Sequence, residues 1–146
     1  MREYWVEVNE EVSNPREAVF EFLAEHENLG PLLGGANISR VRDGDTERNG
    51  VGSVRRVKVG PARPFEETIT KFEPHSLIEY RITKGGPLRN HIGIVALSDV
   101  SGGGTNIDYR IRIASHIPGL APLVRRKLTH DITRSIAKLD SQLAAA

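Results

Sequence analysis

The sequence predicts an α+β domain: a curved antiparallel sheet of seven strands around one long C-terminal helix, with two short helices after the first strand. Three observations carry this. Thr105, Ile107, Tyr109, Ile111 and Ile113 alternate with Asn106, Asp108, Arg110 and Arg112, the period of a half-buried strand. Beyond Pro118, the residues Leu120, Val124, Leu128, Ile132, Ile136, Leu139 and Leu143 recur at steps of four and three, one stripe of a helix about six turns long. Upstream, strand signals follow one another with no room for crossover helices, which requires antiparallel pairing. The last helix has no sequence neighbour to cover its stripe, so the stripe must lie on the sheet. A long helix on a curved sheet leaves space between the two, and residues 1–146 read as one such domain.

The first strand is announced by Tyr4, Val6 and Val8 alternating with Glu3, Glu7 and Asn9. Asn14-Pro15-Arg16-Glu17 reads as a helix start, with Asn14 as cap, Pro15 at the first helical position and Glu17 at the capping-box position. Ala18, Val19, Phe22 and Leu23 make the stripe of that helix, Gly30-Pro31 ends it, and Leu32-Leu33 suggests one more helical turn before Gly34-Gly35. Strands are then expected at Ile38–Val41, Val51–Val59, Phe65–Phe72, Leu77–Thr83 and Arg89–Leu97, separated by turn signals such as Asn49-Gly50, Gly60-Pro61, Pro74-His75 and Gly85-Gly86-Pro87. Gly102-Gly103-Gly104 makes the hairpin into the final strand. The helix is expected to run from Pro118 to Leu143.

Basic and acidic residues number 20 and 19, a formal charge of +1, which argues against a partner recognised by bulk charge such as duplex DNA. There is no cysteine, so disulfides, thiolate nucleophiles and Cys-ligated metals are excluded. The start of the chain lacks the apolar run of a signal peptide, and no segment approaches the ~20 apolar residues of a membrane span. The expectation is a cytoplasmic protein without membrane insertion; a homodimer is left open.

Several pieces, in order, resemble one known family. They are Val12-Ser13-Asn14-Pro15-Arg16-Glu17-Ala18-Val19-Phe20, Gly50-Val51-Gly52-Ser53-Val54-Arg55, Phe65-Glu66-Glu67-Thr68-Ile69, Glu73-Pro74-His75-Ser76-Leu77-Ile78-Glu79-Tyr80-Arg81-Ile82 and Gly103-Gly104-Thr105-Asn106-Ile107. Spread over nearly the whole chain, they resemble the START-like, helix-grip (SRPBCC) superfamily, and within it the polyketide cyclase/dehydrase and lipid-transport group. The resemblance implies a hydrophobic small molecule between sheet and helix. Its members include lipid carriers, hormone receptors, aromatase/cyclases and stress-response proteins. It carries over no catalytic residue, because one fold hosts many functions.

The chemistry must therefore come from side chains facing inward. Ile107, Tyr109, Ile111 and Ile113 set that face on the last strand; Ile78, Tyr80 and Ile82 set it on the fifth. Phe65, Glu67 and Ile69 share a face on the fourth, which puts Glu67 among apolar neighbours, where burial raises a carboxyl pKa toward neutrality. The competing readings are that Glu67 pairs with Arg55 or Arg81, or that Glu66 faces in. On the sixth strand the phase is open between His91, Gly93, Val95, Leu97 and Ile92, Ile94, Ala96, so His91 is either a general acid/base or a surface histidine. Phe65, Tyr80, Ile82, Tyr109 and Ile111 are the candidate ligand-binding residues. His26, His75, His116 and His130 are scattered, so neither a metal nor any other cofactor is expected. Gly102-Gly103-Gly104 precedes a strand rather than a helix and is no phosphate loop. Arg55-Arg56-Val57-Lys58 and Arg125-Arg126-Lys127 lack interleaved aromatics and read as solvated faces, not a nucleic-acid surface.

The leading expectation is a protein that binds a small hydrophobic or amphipathic ligand, lipid or polyketide-like, for carriage or sensing. The runner-up is a cofactor-independent cyclase or dehydratase using Glu67 or His91 as acid/base. The third is a partner-binding module whose cavity is filled by its own side chains.

Overall fold

A computed structural model describes residues 1–145. Its strands are β1 (Tyr4–Val12), β2 (Asn37–Arg42), β3 (Val54–Lys58), β4 (Phe65–Glu73), β5 (Leu77–Gly85), β6 (Arg89–Asp99) and β7 (Thr105–Ala114); its helices are α1 (Arg16–Ala24), α2 (Leu120–Ala137) and α3 (Leu139–Ala145). All seven strands join one antiparallel sheet in the order β1-β7-β6-β5-β4-β3-β2. The helix packs on the face of this curved sheet, the helix-grip arrangement. Among the described residues, no helix is long and apolar enough to cross a membrane.

The period-two reading holds on β7, where Ile107, Tyr109, Ile111 and Ile113 are buried, and on β5, where Ile78 and Tyr80 are. On β4, Glu67 and Ile69 face in. The open phase of β6 is settled: His91, Gly93, Val95 and Leu97 point inward. The pairing of β6 with β7 slips between Arg89 and Ile92, and Asn90 takes a positive φ of 55° there, so a bulge aims His91 at the interior.

Several boundaries differ from the sequence reading. Asn14 caps nothing: α1 starts at Arg16, and Asn14 donates from its backbone N and Nδ2 to Asp140 of α3 at 3.2 and 2.6 Å. The second short helix is a 3-10 turn at His26–Asn28, while Leu32 and Leu33 lie in a turn. The third strand begins only at Val54, because residues 51 and 52 form a turn with Gly52 at φ 89°. The C-terminal helix is interrupted at Lys138, which divides α2 from α3, and it starts at Leu120 behind a left-handed Gly119.

The helical stripe is also uneven. Ile132, Ile136 and Leu139 are buried in the core, whereas Leu120, Val124 and Leu128 are only half-buried. The C-terminal half of the stripe packs solidly. The N-terminal half hangs over open space.

Candidate functional site

That space is a cavity of about 290 Å³ between the first turns of α2 and the sheet. Leu120, Val124 and Leu128 form its helix wall; Ile111 and Ile113 of β7, Tyr80 and Ile82 of β5, and Phe65 and Val57 form its sheet wall. Leu33, Pro87 and Leu88 contribute from loops. Arg63, Lys127 and Asp131 also line it; Lys127 donates to Asp131 at 2.7 Å, and Lys127 and Arg63 are solvent-exposed, which marks the open end.

Glu67 and His91 reach the cavity from inside the fold, 4% and 8% exposed. Glu67 is not a lone carboxyl among apolar neighbours. Strand register places Arg55 of β3 directly opposite it, and Arg55 Nε donates to Glu67 Oε1 at 2.8 Å. The expected isolated acid is thus corrected to one half of a buried ion pair, the competing reading with Arg55. Arg55 itself is not on a solvated face: it is 2% exposed, while its neighbour Arg56 is exposed.

Two further contacts hold the guanidinium. Its Cζ stands 4.5 Å from the Tyr80 ring centre, a cation–π contact. Its Nη1 donates to His26 Nδ1 at 3.1 Å. An arginine can only donate, so His26 Nδ1 carries no hydrogen and its Nε2–H donates to Ser53 Oγ at 2.6 Å. Arg40 Nη1 then reaches Ser53 Oγ at 3.4 Å and Glu25 and Glu27 beyond, so a bonded chain runs from the cavity carboxylate to the surface. Burial, and next the Arg55 charge, push the His26 pKa down to about 3.

His91 is fixed from the other side. The pairing of β5 with β6 ends at Tyr80 opposite Gly93, and the Ile82 N–H beyond it donates to His91 Nδ1 at 3.0 Å. Burial moves the His91 pKa below its ordinary value, against the opposing pull of Glu67. The neutral ring therefore carries its hydrogen on Nε2, which lies 3.6 Å from Glu67 Oε2.

Tyr80 lies across β6 because Gly93 has no side chain: a Cβ there would fall 2.1 Å from Tyr80 Cζ. Its hydroxyl bonds to that of Tyr109 on β7. Burial pushes both phenols up, Tyr109 to about 12, so both stay protonated. Of the five candidate ligand-binding residues, Phe65, Tyr80, Ile82 and Ile111 line the cavity. Tyr109 does not, a correction: it lies behind Tyr80 and borders a separate void of about 10 Å³ with Arg55, Leu23 and Leu29. His26, Arg55 and Gly93 were not singled out from the sequence as site residues. The signal available for Gly93 was a glycine on the inward phase of a strand. None existed for His26. Among the described residues no group of three or more His, Cys, Asp or Glu is placed to hold a metal ion.

The family model described as "Polyketide cyclase / dehydrase and lipid transport" matches residues 5–144. No curated protein matches the chain. Among solved structures, a START superfamily protein from Mycobacterium smegmatis aligns with a TM-score of 0.75 at 14% identity, over 97% of both chains. The ZhuI aromatase/cyclase from Streptomyces sp. R1128 gives 0.71 at 18%, over 99% of this chain and 93% of that one. A truncated norcoclaurine synthase from Thalictrum flavum gives 0.71 at 14%, over 94% and 93%. At these identities the likeness is one of fold.

Proposed function

The chain belongs to the polyketide cyclase/dehydrase and lipid transport family, a hydrophobic ligand-binding fold, and on that premise we propose that it binds one small hydrophobic or amphipathic molecule, lipid or polyketide-like, for carriage or sensing. The observation that carries this reading is the cavity of about 290 Å³, whose walls are apolar apart from its floor and its open end. Its existence argues against a module that fills the same space with its own side chains. The test is thermal denaturation with apolar compounds, alongside native mass spectrometry of protein from its own host. A retained ligand, or a melting temperature raised by an apolar compound and no longer raised in Leu128→Trp, is the expected result. Absence of both the retained mass and the shift would overturn it.

One observation favours a second reading, a cofactor-independent cyclase or dehydratase. Glu67 and His91 stand 3.6 Å apart at the cavity, close enough for one to remove and the other to supply a proton at a substrate carbonyl or hydroxyl. Turnover that disappears in Glu67→Gln while ligand still binds would select this reading over carriage.

A further inference from the structure

At the cavity floor, the fold leaves one acceptor and one donor unused. Glu67 Oε1 is taken by Arg55, but Oε2 accepts no hydrogen bond among the described residues. His91 Nδ1 is taken by the Ile82 N–H, which leaves Nε2–H without an acceptor within hydrogen-bond distance. Neither atom is sealed in protein: among the described residues, Arg55 Nη2 is the one sealed side-chain nitrogen or oxygen without a partner. Both residues line the cavity, so both atoms open onto it.

Their separation of 3.6 Å is too long for a hydrogen bond between them and short enough for a single oxygen to sit about 2.8 Å from each. Such an oxygen must donate to the carboxylate and accept from the imidazole. A hydroxyl does both. An ether or a carbonyl can only accept, which leaves Glu67 Oε2 without a donor. A carboxylate would be set against Glu67 Oε2, while the Arg55 guanidinium does not border the cavity.

We propose, resting on the binding function above, that the cavity selects apolar molecules carrying an uncharged hydroxyl at their inner end, a phenol, enol or alcohol, held between Glu67 Oε2 and His91 Nε2–H. The apolar body then lies against Ile111, Val124 and Leu128.

The experiment is titration of the protein with naphthalene, 2-naphthol and 2-methoxynaphthalene near neutral pH. Naphthalene tests the cavity; the two substituted compounds test its floor. The expected result is 2-naphthol binding about 10-fold tighter than naphthalene, although it is the less apolar molecule, because a hydrogen bond to the Glu67 carboxyl inside an apolar cavity outweighs the loss. The methyl ether, which cannot donate, loses that gain. Glu67→Gln and His91→Asn should each shrink the preference, read as the ratio of 2-naphthol to naphthalene affinity in the same variant; His91→Asn keeps an acceptor for the Ile82 N–H and serves if Glu67→Gln, which strips Arg55 of its counter-ion, fails to fold. Equal affinity for all three compounds overturns the hydroxyl assignment and leaves the cavity reading standing. Binding of none overturns both.

Discussion

His26 should make the stability of this protein fall with acid in a way that one substitution removes. The ring is fully buried, its Nδ1 accepts from Arg55 and its Nε2–H donates to Ser53. Protonation would put a hydrogen on Nδ1 facing a guanidinium that has no acceptor to give, so burial and the Arg55 charge hold the folded pKa down at about 3 from the usual 6.5. The unfolded chain takes up the proton near pH 6.5; the folded one refuses it until about 3. A depressed folded pKa means stability that is complete above the unfolded value and is lost as the pH falls toward the folded one. Each pH unit inside that window removes about 1.4 kcal/mol, so roughly 2–3 kcal/mol is gone near pH 4.5. His26→Gln keeps a polar side chain and removes the titration. Urea denaturation of both proteins at about pH 7.5 and about pH 4.5 should show the parent's advantage shrinking by roughly 2–3 kcal/mol. Comparing the two cancels carboxylates that titrate alike in both. Parallel pH profiles would refute the neutral, Arg55-facing ring.

Two further outcomes follow from packing. Ile132→Ala, at a fully buried position, should cost about 2–5 kcal/mol, and Leu128→Ala, which only widens a space already open, about 1 kcal/mol; equal losses in denaturant melts would contradict the division of the helix into a packed half and a cavity half. Gly93→Ala should cost about 1–3 kcal/mol, because the new methyl must displace the Tyr80 ring and part its hydroxyl from Tyr109. Melts within ~0.5 kcal/mol of the parent would mean that Tyr80 does not lie on Gly93.

The last strand and the helical stripe declared themselves because periodicity is a property of covalent geometry: a strand turns its side chains over every two residues and a helix every 3.6, whatever lies opposite. That is why the inward faces of β4, β5 and β7, the antiparallel pairing and the helix laid on the sheet were all legible in the sequence, and why Glu67 could be placed on the inner face. On β6 the same rule failed, since both phases carry apolar residues and only a bulge beside Asn90 chose between them. A period also says nothing about which charge meets which. Arg55 read both as one cation in a basic run and as one of two possible partners of Glu67, and His26 as one of several scattered histidines. Register across β3 and β4 brought the arginine opposite Glu67, and the 3-10 turn carried the histidine to it across 29 residues of chain. Tertiary structure likewise decided that half of one continuous stripe would be core and half the roof of a cavity. The hydrophobic pattern specifies that a face avoids water, but whether it meets side chains or empty space depends on the curvature of a sheet assembled from distant strands.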